Sequence, residues 1–209
     1  MENKFIEIFT GLKRAHGCTY INTTPKEGVK LKTKSFVKRE QVTSDHYRNH
    51  LHGVEPSLGI IPINEEDMCK WGCIDIDSYA GFDHQKLIRK IKTLKLPLVV
   101  CRSKSGGAHV FLFSEDFVEA KTMRDKLNQI RAVLGFGSAE VFPKQIQLKS
   151  EEDTGNFLNL PYFKGDDTTR YAFKEDGSAA SLEEFYRIIN NVKQLDVGSI
   201  KVQRPQSEF

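Results

Sequence analysis

The sequence predicts a mixed α/β domain of the α+β kind, with strands paired largely antiparallel and helices packed against them. Three observations carry that expectation. Apolar residues recur at helical spacing in two long stretches, 82–94 and 115–134. Short runs rich in β-branched residues, bounded by Pro, Gly or polar residues, lie around them. A Ser-Lys-Ser-Gly-Gly segment joins two such runs and is short enough to close a hairpin.

Taken in order, Phe5, Ile8, Phe9 and Leu12 stand at helical spacing and predict a helix within 2–15. A polar, basic stretch follows to residue 40, to which no element is assigned, and then a short helix near 43–51. Residues 57–63 and 71–76 are expected as strands. Leu87, Ile88 and Ile91 among basic residues predict a helix over 82–94. Strands are expected at 98–102 and 108–113, on either side of the glycine turn. The longest helix is expected over 115–134, stopped by Gly135 and Gly137. Residues 139–142 and 157–160 are short strand candidates ended by Pro143 and Pro161. A last helix runs from about Ser181 to Val192, with Glu184 at the capping-box position. The tail, 202–209, has the character of a linker, and no internal repeat is visible.

Composition narrows the class. In 209 residues, 39% hydrophobic and 28% charged describes a folded domain with one sizeable core, or a core plus a small subdomain. No run approaches the roughly 18 apolar residues of a membrane span, and the polar start Met1-Glu-Asn-Lys-Phe5 does not resemble a secretory leader. A cytoplasmic protein without membrane contact is expected. Cys18, Cys69, Cys73 and Cys101 lack disulfide-framework spacing. Cys69-x3-Cys73 with His16 and Cys18 would offer zinc ligands, but Cys73 opens an apolar strand, so buried free thiols are expected instead. A net charge of +3 does not by itself indicate nucleic acid. Its distribution says more: Lys26, Lys30, Lys32, Lys34, Lys38 and Arg39 cluster against the single acid Glu27. Such a run is either a solvated face or a groove that follows phosphates.

Asp75-Ile76-Asp77 is the strongest local feature. On a strand, alternation places both carboxylates on one face. Two carboxylates so close repel unless a cation neutralises them, and Mg²⁺ or Mn²⁺ with a substrate phosphate meets that need. The plain alternative is a pair of aspartates facing water at a strand end. A haloacid-dehalogenase-like phosphatase would need Thr or Val where Tyr79 stands, and a toprim-type site would need a Glu that 57–63 lacks. A nucleotide-sugar glycosyltransferase stays open on the aspartates alone. Ser103-Lys104-Ser105-Gly106-Gly107-Ala108-His109 adds glycines that let backbone approach an anion, and a lysine that favours phosphate.

The combination resembles the archaeo-eukaryotic primase superfamily, in the form found in phage, plasmid and conflict-system primase-polymerases. Asp75 and Asp77 match its first motif. Ser105 and His109 fall in the second, spaced Ser-Gly-Gly-Ala-His rather than strict Ser-x-His. Glu140 in Glu140-Val-Phe-Pro-Lys-Gln145 matches the third, where many relatives carry Asp, and Asn156-Phe-Leu-Asn159-Leu-Pro161 resembles a further family segment. The motifs span about 55–165.

The resemblance implies a primase-polymerase core with an RRM-like mixed or antiparallel sheet flanked by helices. A single catalytic domain over 1–209 is expected: a helical and basic subregion at 1–55, the motifs at 56–165, and a C-terminal helix and tail at 166–209. It implies that Asp75, Asp77 and Glu140 hold Mg²⁺ or Mn²⁺, with His109, Lys104, Ser105, Gly106 and Gly107 on the triphosphate. Lys144, Gln145 and Asn159 are expected on nucleotide or template. Lys32, Lys34, Lys38, Arg39 and Arg102 are expected on template, with Tyr20 and Phe36 to stack bases. The implied partners are single-stranded DNA template, primer and NTP or dNTP, with a helicase domain or protein in a longer assembly, in a bacterial or phage-infected cell. A non-catalytic nucleic-acid-binding module that kept the fold is the alternative.

Overall fold

The computed structural model describes residues 2–21, 33–78 and 81–203. Among these, eight strands form two four-stranded sheets whose strand pairs all run antiparallel, accompanied by five α-helices.

Helix α1 covers Glu2–Ile8, shorter than the expected 2–15. Phe9 and Leu12 are nonetheless fully buried. The chain leaves the helix because Leu12 N–H donates to the Ile61 carbonyl at 2.9 Å. Gly11 permits the approach: a Cβ there would stand 2.1 Å from Ile61 O. The apolar spacing was genuine, and a strand edge competed for the backbone.

The basic stretch, to which the sequence assigned no element, holds two strands. β1 (His16–Ile21) and β2 (Thr33–Lys38) pair from His16↔Lys38 to Ile21↔Thr33. β2 is an edge strand whose Lys34, Phe36 and Lys38 are exposed, so no apolar alternation betrays it. Lysines on an edge also discourage pairing with another chain. Lys26, Lys30 and Lys32 lie outside the described residues. Helix α2 (Ser44–Leu51) falls where expected, and β3 (Ser57–Ile60) pairs with β1.

Next comes a β-α-β-β-α-β run: β4 (Met68–Ile76), α3 (His84–Thr93), β5 (Val99–Arg102), β6 (Ala108–Glu119), α4 (Ala120–Leu134) and β7 (Glu140–Phe142). Its sheet order, β5-β6-β4-β7, puts the first strand between the third and the last, which is the RRM-like arrangement expected. β6 runs to Glu119, where the sequence suggested a helix from 115. Val118 and Glu119 continue the ladder opposite Cys69 and Met68, past an irregularity in β4 between Cys69 and Trp71. Glu115 and Asp116 resemble a helix first turn, but Phe117 and Val118 are strand formers and the ladder decides.

One face of this sheet, with Ile74, Ile76, Val100, Val110, Leu112 and Val141, packs beneath Leu87 and Ile91 of α3 and Met123, Leu127 and Ile130 of α4. The other face, with Trp71, Cys73, Val99, Phe111 and Phe142, meets Phe5, Phe9, Leu58 and Ile60. β8 (Leu158–Asn159) completes the first sheet, in the order β2-β1-β3-β8, and α5 (Leu182–Val192) packs Phe185 into the same cluster. α5 carries the expected capping box: Ser181 Oγ accepts from Glu184 N–H at 3.2 Å, and Ser181 N–H donates to Glu184 Oε2 at 2.8 Å. The four cysteines are buried free thiols. Cys69 and Cys73 fall in different apolar clusters, so they do not converge on a metal.

Candidate active site

β4 lies between β6 and β7, so Asp75 has a cross-strand partner on each side: His109 on β6 and Glu140 on β7. Directly opposed residues point to the same face. That face is shared with Cys73, Phe111 and Phe142, two residues along each strand, and lies away from α3 and α4. Glu140, Asp75 and His109 therefore form one row across three strands. Asp77 follows just beyond the end of β4.

His109 Nε2 stands 3.3 Å from Asp75 Oδ1, with both side chains largely buried. Burial is the strongest influence on Asp75 and pushes its carboxyl up. The His109 hydrogen bond and charge, aided by Lys104 and Lys144, outweigh it and hold the group below its ordinary value. Asp77 goes the other way. Burial first, then the charges of Asp75 and Glu140, raise its carboxyl against the opposing pull of Lys104 and His109. Three carboxylates thus sense one another, with cationic groups around them. Lys144 Nζ lies 2.7 Å from Glu140 Oε1, and the same ammonium sits over the Phe142 ring, 5.1 Å from its centroid.

The glycine turn closes onto this row. Ser103 N–H donates to Gly107 O at 3.0 Å and Gly106 N–H to Ser103 O at 3.1 Å. Gly106 has φ +92°, a backbone conformation that side chains disfavour. Gly107 is pressed against the end of β4: a Cβ there would stand 2.1 Å from Ile76 O and 3.0 Å from Ser78 N, on either side of Asp77. Lys104 and Ser105 form the partly exposed tip. Turn and aspartates are thus one assembly.

A family model for the archaeo-eukaryotic primase domain of TOTE conflict systems matches residues 15–202. The chain belongs to this family. The match is wider than the 55–165 that the motifs covered and takes in β1, β2 and α5. It makes the domain one of primase type, a nucleotidyl-transferring class of enzyme. No curated protein matches the chain closely enough to count as a relative. No described helix is long and apolar enough to cross a membrane.

The remaining expected residues of this primase domain divide. Asn159 lies on β8 opposite Gly59, with its Oδ1 buried and without a hydrogen-bond partner, an acceptor in waiting. Gln145 does not have that freedom. Its Nε2 donates to Asn156 Oδ1 at 2.6 Å and its Oε1 accepts from Asn156 N–H at 3.0 Å, so the groups expected on nucleotide already tie two loops together. Arg102 reaches the Thr169 carbonyl at 3.3 Å, beside Gly106. Lys38 pairs with Glu40 at 2.7 Å, and Arg39 donates to the Glu152 carbonyl. Lys34 sits over Phe36 at 5.8 Å, and Phe36 stacks on Tyr20 with centroids 6.4 Å apart, a basic and aromatic patch on the exposed edge of the first sheet.

One residue that the sequence did not single out supports the site. His84, the first residue of α3, hydrogen-bonds through Nε2 to the Gly107 carbonyl at 2.9 Å and stacks on Phe173 at 4.6 Å. It braces the glycine turn from behind. A histidine at a helix start carries no sequence signal of that role.

Proposed function

We propose that this domain is a DNA primase-polymerase: it transfers a nucleotidyl group from an NTP or dNTP to a 3′-hydroxyl on a single-stranded DNA template and releases pyrophosphate. The row Glu140–Asp75–His109, with Asp77 at its end, carries this reading. The donor set fits divalent Mg²⁺ or Mn²⁺. Asp75, Asp77 and Glu140 supply hard oxygen ligands, and a cation would relieve the repulsion among carboxylates held so close. When bound, such ions lower the pKa of the attacking hydroxyl and neutralise charge on the departing pyrophosphate.

The chain's own groups do the rest. His109, hydrogen-bonded to Asp75, can turn its imidazole to a phosphate oxygen while staying anchored in the row. Lys104 at the tip of the glycine turn and Lys144 beside Glu140 supply positive charge where the triphosphate would lie. Gly106 and Gly107 let backbone approach that ligand closely. Positioning and electrostatics account for most catalysis of phosphoryl and nucleotidyl transfer, and these residues supply both.

The test is incorporation of labelled NTPs or dNTPs on single-stranded template, with and without primer, in Mg²⁺ or Mn²⁺. Asp75→Asn and Asp77→Asn are each expected to lower incorporation by about 10³-fold or more while circular dichroism stays that of the parent. Incorporation retained in either folded variant would refute the assignment. A parent that binds single-stranded DNA but incorporates nothing would favour the non-catalytic module.

A further inference from the structure

A second group of side chains, away from the acid row, converges on one spot. The connection from β2 to α2 folds back on the start of β1 and brings together His16, Glu40 and His46, whose ligating atoms all lie within 4.8 Å of one another. His16 is 1% exposed, and its Nε2 has no hydrogen-bond partner. That nitrogen stands 3.8 Å from Glu40 Oε1, and His46 Nε2 stands 3.3 Å from the same oxygen. The two imidazole rings lie 4.3 Å apart between centroids. A buried ring nitrogen left unpaired is costly, so its retention calls for a ligand.

The far side of the His16 ring suits a metal. His16 Nδ1 lies 3.3 Å from the Glu40 backbone carbonyl, which accepts its proton and leaves the lone pair on Nε2. His46 Nδ1 accepts from the Thr43 backbone N–H at 2.9 Å, so Nε2 carries the ring proton toward Glu40, and a metal at Nε2 replaces that proton as the Thr43 capping bond is released. An outer carbonyl of the kind behind His16 orients a metal-binding histidine and fixes its tautomer. Lys38 Nζ, 2.7 Å from Glu40 Oε1 and half exposed, shows that the carboxylate already attracts a cation, and its long side chain can swing into water.

We propose that His16, Glu40 and His46 form a Zn²⁺ site, with three protein ligands and a fourth position for water, that clamps the β2–α2 connection onto β1. Two imidazoles and one carboxylate are a recognised zinc donor set, unlike the all-carboxylate set of the acid row. The site draws on β1, α2 and the segment before α2, and on none of β4, β6 or β7, so it stands whether or not the catalytic reading does.

The experiment is equilibrium dialysis of Zn²⁺ against the chelator-stripped full chain, carried out in an Asp75→Asn/Asp77→Asn background so that the acid row does not contribute. One equivalent of Zn²⁺ is expected to bind and to raise the thermal midpoint. Glu40→Gln and His46→Ala, at partly exposed positions, are each expected to weaken binding at least about tenfold and to remove the thermal shift. A parent that binds no stoichiometric Zn²⁺, or variants that bind it as tightly as the parent, would overturn the proposal.

Discussion

Asp75 and His109 face each other across the β4–β6 ladder, with Nε2 3.3 Å from Oδ1, at the point where β7 places Glu140 on the other flank of the same aspartate. The imidazole is therefore tied to the acid row and not loose in a groove. Several expected outcomes turn on that row and on what braces it.

His109→Gln keeps a hydrogen-bonding side chain but loses the imidazole. Nucleotide KM is expected to rise about tenfold or more, with a smaller change in kcat, measured by steady-state incorporation. An unchanged KM would count against a triphosphate contact.

Gly107→Ala introduces a Cβ 2.1 Å from Ile76 O, a backbone atom that cannot yield without moving Asp77. We expect a stability loss of about 1–3 kcal/mol by urea unfolding, together with incorporation lowered further than the unfolded fraction explains. A variant with parental activity would mean that the turn and the aspartates are not coupled.

His50 ties α2 to β3 and to the segment that follows β8. Its Nδ1 accepts from Leu58 N–H at 2.9 Å, and its Nε2–H donates to the Pro161 carbonyl at 2.8 Å. Complete burial, with a smaller push from Arg170 and against the Pro161 bond, drives its pKa down from 6.5 to about 3. Between those values the unfolded chain holds a proton that the native chain excludes. The stabilising contribution is thus complete above pH 6.5 and declines as pH falls toward 3. His50→Leu should cost about 2–4 kcal/mol by leaving two backbone groups unpaired, and should flatten the decline between pH 6.5 and 5. Equal slopes in parent and variant, from urea unfolding across that range, would exclude His50 as the source.

Phe36, 38% exposed and stacked on Tyr20 beneath Lys34, is placed to take a base of the template. Phe36→Ala is expected to weaken single-stranded DNA binding by about 1–2 kcal/mol, roughly five- to thirtyfold in Kd, without loss of fold. Fluorescence anisotropy with a labelled oligonucleotide reads it, and an unaltered Kd would move the template elsewhere.

Residue types and their spacing determined much of this chemistry before any tertiary contact entered. Asp75-Ile76-Asp77, the glycine turn before His109 and Glu140 before Pro143 carried the resemblance to the primase family, which the family match over 15–202 bears out. The same periodicities located α2, α3, α5 and the strands around the turn. Only the tertiary structure decided the rest. It ended α1 at Ile8 by offering Leu12 a carbonyl at Ile61, and it made strands of a basic stretch whose outward lysines hid the alternation. It engaged Gln145 on Asn156, and it brought His16, Glu40 and His46 onto one spot from three segments. Above all it set the register in which Asp75 meets His109 and Glu140. A slip of one residue would send either side chain to the helix-covered face, and register is settled by ladders and packing between segments distant along the chain.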